Sequence, residues 1–208
     1  MYLRLLSASL KSYLKDHRGI ASVEFGMIAP VLAFMMIGAV EVGRATVTSR
    51  RFDLVTHVIG DLVSRDKTLT GATDLPAISS AAQLIWSPYP IGNLKFQVLQ
   101  IRNAATTAKK IAPNTTYVDW SYSFLGASVP TQCSLYPMTA GLVPQGQAAI
   151  VVNGTYTYTP LFSSSPIFPN VASVNWARTV VLSPRQDICV SFTDSPFNEA
   201  NCGVVTCE

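Results

Sequence analysis

Glu24 is a lone carboxylate just inside an apolar stretch, and Gly19 stands five residues ahead of it, directly after a basic segment. From Ile20 to Val40 the chain reads IASVEFGMIAPVLAFMMIGAV, 21 residues carrying one charge. At about 1.5 Å of rise per residue, a helix of that length crosses the roughly 30 Å hydrocarbon core of a bilayer. An ionised group at membrane depth is costly, so it marks a site whose partner has to be found. Two chemistries are open to Glu24. It sits one turn inside the interface and snorkels to water, or it pairs with a cation brought to it.

Enzymatic chemistry has no such foothold. No glycine-rich loop with lysine, no HExxH and no GxSxG occurs. His17 and His57 are the only histidines, and both precede the region that would form a folded head, where a general base would be needed. The acids of that region, Asp119, Asp187, Asp194, Glu199 and Glu208, are dispersed and form no close pair. No catalytic residue, metal or cofactor is expected. The net charge of +3 is small and the basic residues form no stripe, so nucleic acid is not an expected partner. Trp86, Tyr89, Tyr117, Trp120 and Tyr122 form an exposed binding face or, as such residues more often do, fill the core of a small sheet.

The elements that must position Glu24 begin with a leader. Residues 1–18 carry Arg4, Lys11, Lys15 and Arg18 against Asp16, with Leu3, Leu6, Leu10 and Leu14 at helical spacing. This suits a basic amphipathic helix on a membrane surface. A secretory signal is the competing account, but the apolar run exceeds the usual hydrophobic region of about 7–15 residues. Charge counting around the span leans weakly to a cytoplasmic N-terminus. Cys133, Cys189, Cys202 and Cys207 all follow the span, which suits an oxidising compartment on its far side. A zinc site competes, but four residues separate Cys202 from Cys207 and no histidine is near. Disulfides are therefore expected, with every connectivity open.

Beyond the span, Phe52, Val55, Val58, Ile59 and Leu62 continue one helical face. With no proline between Pro30 and Pro76, one helix over about residues 20–64 is predicted, roughly 65–70 Å long and kinked at Pro30. Its second half packs against neighbouring subunits or against the chain's own head. The segment from Thr68 to Asp74 reads as a turn, with Asp74 capping a helix that runs to about Trp86. The period then becomes two. Leu94, Phe96 and Val98 alternate with Lys95 and Gln97, and Val118, Trp120, Tyr122 and Phe124 with Asp119, Ser121 and Ser123, giving half-buried antiparallel strands. Strand character continues over 147–159, where Asn153-Gly154 is either a hairpin turn or an irregularity in one strand. A last strand covers about Val174 to Leu182. The fold class is α+β: a long N-terminal transmembrane and stalk helix, then a head with a small antiparallel sheet. The expected division is leader 1–19, transmembrane helix 20–42, amphipathic stalk 43–66 and head 67–208.

Arg18-Gly19-Ile20-Ala21-Ser22-Val23-Glu24-Phe25, then Pro30, Gly38, Glu41, Gly43 and Arg44, resemble the N-terminal signature of TadE-like proteins. These are minor pilins, or pseudopilins, of the Tad (Flp) tight-adherence pilus system. Tyr156-Thr157-Tyr158-Thr159-Pro160-Leu161 and Ser183-Pro184-Arg185 also look like the endings of that family's last two strands, which favours one strand across Asn153-Gly154. The resemblance implies a pilin-like fold and cleavage between Gly19 and Ile20 by a prepilin peptidase, leaving Glu24 as the fifth residue beside Phe25. The new Ile20 ammonium then meets Glu24 of a neighbouring subunit, a pairing that sets axial register. Implied partners are the peptidase, other Tad pilus subunits, inner-membrane assembly proteins and membrane lipid. The implied location is the inner membrane, single-pass, with the N-terminus cytoplasmic and the head periplasmic or carried into the pilus. The alternative is an uncleaved, signal-anchored accessory protein whose head recognises a partner outside the membrane. The middle of the chain, 66–115, matches nothing specific, and the tail from Gln186 to Glu208 exceeds the family ending.

Overall fold

A computed structural model describes residues 19–105, 111–161, 163, 172–193 and 207. The expected leader helix over 1–18 and the candidate disulfide residue Cys202 lie outside them. The chain divides into two compact units, residues 1–44 and 45–208, with the boundary inside helix α1 (Ile20–Arg65). Pro30 lies within α1, which continues through it.

In the second unit, the chain runs from α1 through β1 (Thr68–Leu69), α2 (Asp74–Trp86), β2 (Leu94–Asn103), β3 (Thr116–Phe124), β4 (Ala148–Tyr158), β5 (Val174–Leu182) and β6 (Ser191–Phe192). Four strands form one antiparallel sheet in the order β3-β2-β4-β5. Phe52, Val55, Ile59 and Val63, three and four residues apart on α1, pack against one sheet face together with Leu75, Ile78, Ala82 and Trp86 of α2. The fold is α+β, as the change of period from 3.6 to 2 predicts. By this packing, residues 45–65 form part of the head's core.

Asn153-Gly154 lies within a single strand, paired with Gln97 and Phe96 of β2 without interruption. The glycine is needed there because a Cβ at Gly154 would come within 2.7 Å of Phe96 Cε1 and 3.0 Å of the Phe52 ring. Asn-Gly thus marks a close approach of helix to sheet rather than a turn.

Three local expectations change. Asp74 does not cap α2. Its Oδ2 accepts a hydrogen bond from Thr70 N–H at 2.8 Å, bracing the preceding turn, while Thr73 holds the N-cap position. Thr68 and Leu69 pair in parallel with Ser191 and Phe192, so that connection is partly strand. The even alternation expected of β3 breaks at Asp119. Gln100 pairs with Trp120 and Ile101 with Val118, which leaves Asp119 as the extra residue of a β-bulge. Trp120 and Phe124 therefore pack in the main core with Tyr122 beside them, while Val118 joins Leu99, Ile101 and Val151 on the opposite face. Tyr136 and Met138 cover that second cluster, so the sheet is buried on both faces there rather than half-buried.

The tail completes the core. Val190 and Phe192 are buried in it, Trp120 Nε1 donates to Val190 O at 2.9 Å, and Val190 N donates to Gln100 Oε1 at 2.7 Å. Cys133 and Cys207 form a disulfide with a Cα–Cα distance of 5.3 Å, and Cys189 is also disulfide-bonded.

Candidate functional site

Gly19 immediately precedes α1, whose first turn carries no acid, and Glu24 comes one turn later. Helical spacing stacks Glu24 over Ile20, four residues back. Both are exposed, as is Phe25 at 68 %. No residue from Ile20 to Val40 is buried, although nearly all are apolar. A helix apolar on every side and covered by none of the described residues is suited to lipid or to other helices. α1 is the one described helix long and apolar enough to cross a membrane. Near the far end of its apolar run, Glu41 Oε2 lies 4.0 Å from Arg44 Nη1, so that acid has a cation one turn away. Glu24 has no ion pair among the described residues.

The glycines of this segment differ from two in the head. A Cβ added at Gly19, Gly26, Gly38 or Gly43 would meet nothing within 4 Å, whereas at Gly60 and Gly154 it would run into neighbours. Packing thus explains Gly60 and Gly154, whereas Gly19 has no such contact among the described residues.

The aromatic residues resolve against an exposed face. Trp86, Tyr117 and Trp120 are fully buried, while Tyr89 and Tyr122 are half-buried beside the core. No cluster of three or more candidate metal ligands occurs among the described residues. The charged group that periodicity misplaces is Asp119. At the bulge it turns inward, and Oδ2 accepts from Arg102 Nη2 at 2.9 Å and from Gln100 Nε2 at 2.7 Å. Arg102 Nη2 also lies 3.1 Å from Cys189 Sγ. With Arg102 and Asp119 side chains 4 % and 1 % exposed, this buried pair welds β2, β3 and the tail. Both side chains are spent on contacts within the fold, which is a structural role. In sequence it reads as an ordinary solvated position, and only the mismatched strand register reveals it.

Among comparisons with known proteins, the family model described as TadE-like protein matches residues 19–57. No curated protein matches the chain, and no solved structure does. The matched stretch begins at Gly19, contains Glu24 and Pro30, and ends inside the helix that covers the sheet. Over residues 19–57 this chain is therefore similar to TadE-like proteins.

Proposed function

We propose that this chain is a minor pilin, or pseudopilin, that takes part in assembling a Tad (Flp) pilus used for adhesion, as a structural and non-enzymatic component. The TadE-like match suggests a Tad-pilus-related protein. The observation that carries the finer reading is the juxtaposition at the start of α1. Among the described residues nothing packs against Gly19, Ile20 opens the helix, and Glu24 stands one turn on in an apolar, exposed surface.

In this reading a prepilin peptidase hydrolyses the Gly19–Ile20 amide. Water adds to the carbonyl, Gly19 leaves as a carboxylate, and Ile20 keeps an ammonium. Glycine offers no side chain to obstruct the peptidase. An ammonium and a carboxylate together at a dry interface cost far less than either alone, so Glu24 of one subunit and Ile20 of the next fix their axial register. Residues 20–42 span the inner membrane with the head in the periplasm, and the partners are the peptidase, other Tad subunits, inner-membrane assembly proteins and lipid.

The test is intact mass and N-terminal sequencing of protein isolated from membranes that contain the native peptidase. The mature chain should begin at Ile20, and Gly19→Leu should remain full length. An intact Met1 on the unsubstituted chain, with the peptidase present, would instead indicate the uncleaved signal-anchored accessory protein.

A further inference from the structure

The sheet face turned away from α1 changes character along its length. Near Leu99 and Val151 it is apolar and covered by Tyr136 and Met138. Past that cover it becomes a polar trough formed by two neighbouring cavities that share Lys95 and Thr155. One has a volume of about 490 Å³ and reaches Thr157 and Asn175, and the other, of about 260 Å³, reaches Gln97 and Asn153. Strand register explains the grouping, since Lys95 pairs with Thr155, Gln97 with Asn153, and Thr157 with Asn175.

The trough is held in shape by its own bonds. Asn153 Nδ2 donates to Tyr136 Oη at 3.2 Å, and Asn153 Oδ1 accepts from Thr179 Oγ1 at 2.7 Å. Gln97 Nε2 donates to Ser128 O at 3.3 Å and Ser123 Oγ to Ala127 O at 2.6 Å, which tie the 126–128 loop down as a wall. Asn175 Oδ1 accepts from Thr157 Oγ1 at 2.7 Å, leaving the Asn175 amide hydrogens for a ligand. Lys95 Nζ and Thr155 Oγ1 have no side-chain partner among the described residues. Among the described residues, Lys95 is also the one residue lining either cavity that carries a charge at neutral pH.

We propose that this trough is a binding site for an acidic saccharide. Fixed amides and hydroxyls at strand spacing match a row of sugar hydroxyls, and the groups already oriented cost little to order on binding. The lone ammonium, with no carboxylate beside it, matches a uronic-acid carboxylate through a charge-assisted hydrogen bond. The trough offers a phosphate-rich polymer only one cation among the described residues. The site belongs to the head alone and stands whether or not the chain is cleaved after Gly19.

The experiment titrates the detergent-solubilised full chain into fluorescently labelled short oligogalacturonate, followed by anisotropy, with a maltooligosaccharide of equal length as the neutral arm. Saturable binding of the uronate is expected, with the neutral sugar weaker. Lys95→Gln should weaken uronate binding about tenfold, the range of one hydrogen bond to a charged group. Thr155→Leu should weaken both sugars by obstructing the trough. Lys67→Gln, which removes an equal charge paired elsewhere with Asp187, should bind like the unsubstituted chain. The proposal fails if the uronate does not saturate, if the neutral sugar binds equally, or if Lys95→Gln has no larger effect than Lys67→Gln.

Discussion

Two residues show how differently a single side chain acts on the two sides of Ala45. Gly154 is wedged under the Phe52 and Phe96 rings, both buried, so Gly154→Ala must displace aromatic groups that have nowhere to go. Overpacking of this kind costs about 1–3 kcal/mol. At Gly60 the nearest obstacle is Leu182 Cδ1, the far end of a half-buried side chain that can turn aside. Urea denaturation in detergent should therefore find Gly154→Ala clearly less stable than Gly60→Ala, and the reverse order would contradict the packing described. Glu24 is the opposite case, since none of the described residues constrains it. If it pairs with the Ile20 ammonium of a neighbour, Glu24→Gln leaves that ammonium unmatched at a dry interface. The variant should insert and be processed normally yet fail to support surface pili, whereas Glu41→Gln, beside Arg44, should assemble. Equal pilus recovery for Glu24→Gln and the unsubstituted chain would exclude the pairing.

At the scale of elements, two kinds of ion pair join neighbouring elements with very different consequences. Arg102–Asp119 ties β2 to the bulge of β3, and removing one partner strands the other in the interior. Asp119→Ala should cost about 3–5 kcal/mol. Arg185, just past β5, pairs with Asp61 of α1, and its side chain is 53 % exposed. Water screens that contact, and Arg185→Ala should cost at most about 1 kcal/mol. The backbone hydrogen bond from Arg185 N to Ser64 O, 2.9 Å, survives the substitution and keeps the end of β5 docked on α1. Similar losses for the two variants in chemical denaturation would show that burial does not separate them as argued.

For the head as a whole, the tail is part of the fold rather than an appendage. The Cys133–Cys207 bridge closes a loop across a sequence separation of 74. Constraining the unfolded chain over that length is worth roughly 4 kcal/mol. Reductant should lower the melting temperature of the detergent-solubilised protein by roughly 10 °C. Alkylation before reduction should label no cysteine, in keeping with the absence of free cysteines among the described residues. Labelling of two or more thiols in the folded protein would refute the oxidised state.

The helix from Ile20, the strand at Val174–Leu182 and the Gly19/Glu24 signature were all legible in the sequence, because each rests on local spacing. Periodicity reports which side chains share a face, and an apolar run of 21 residues needs no tertiary partner to be recognised. Asn153-Gly154 was ambiguous for the same reason. Locally it is a turn dipeptide, and only the approach of the Phe52 and Phe96 rings makes it the middle of a strand. Asp119 departs from the alternation because a bulge shifts the register by one residue and inverts the faces beyond it, which no window of sequence contains. The polar trough was likewise hidden, since Lys95, Thr155 and Asn175 become neighbours only when β4 lies between β2 and β5. Local periodicity determines elements, while strand order and register determine which of their side chains meet.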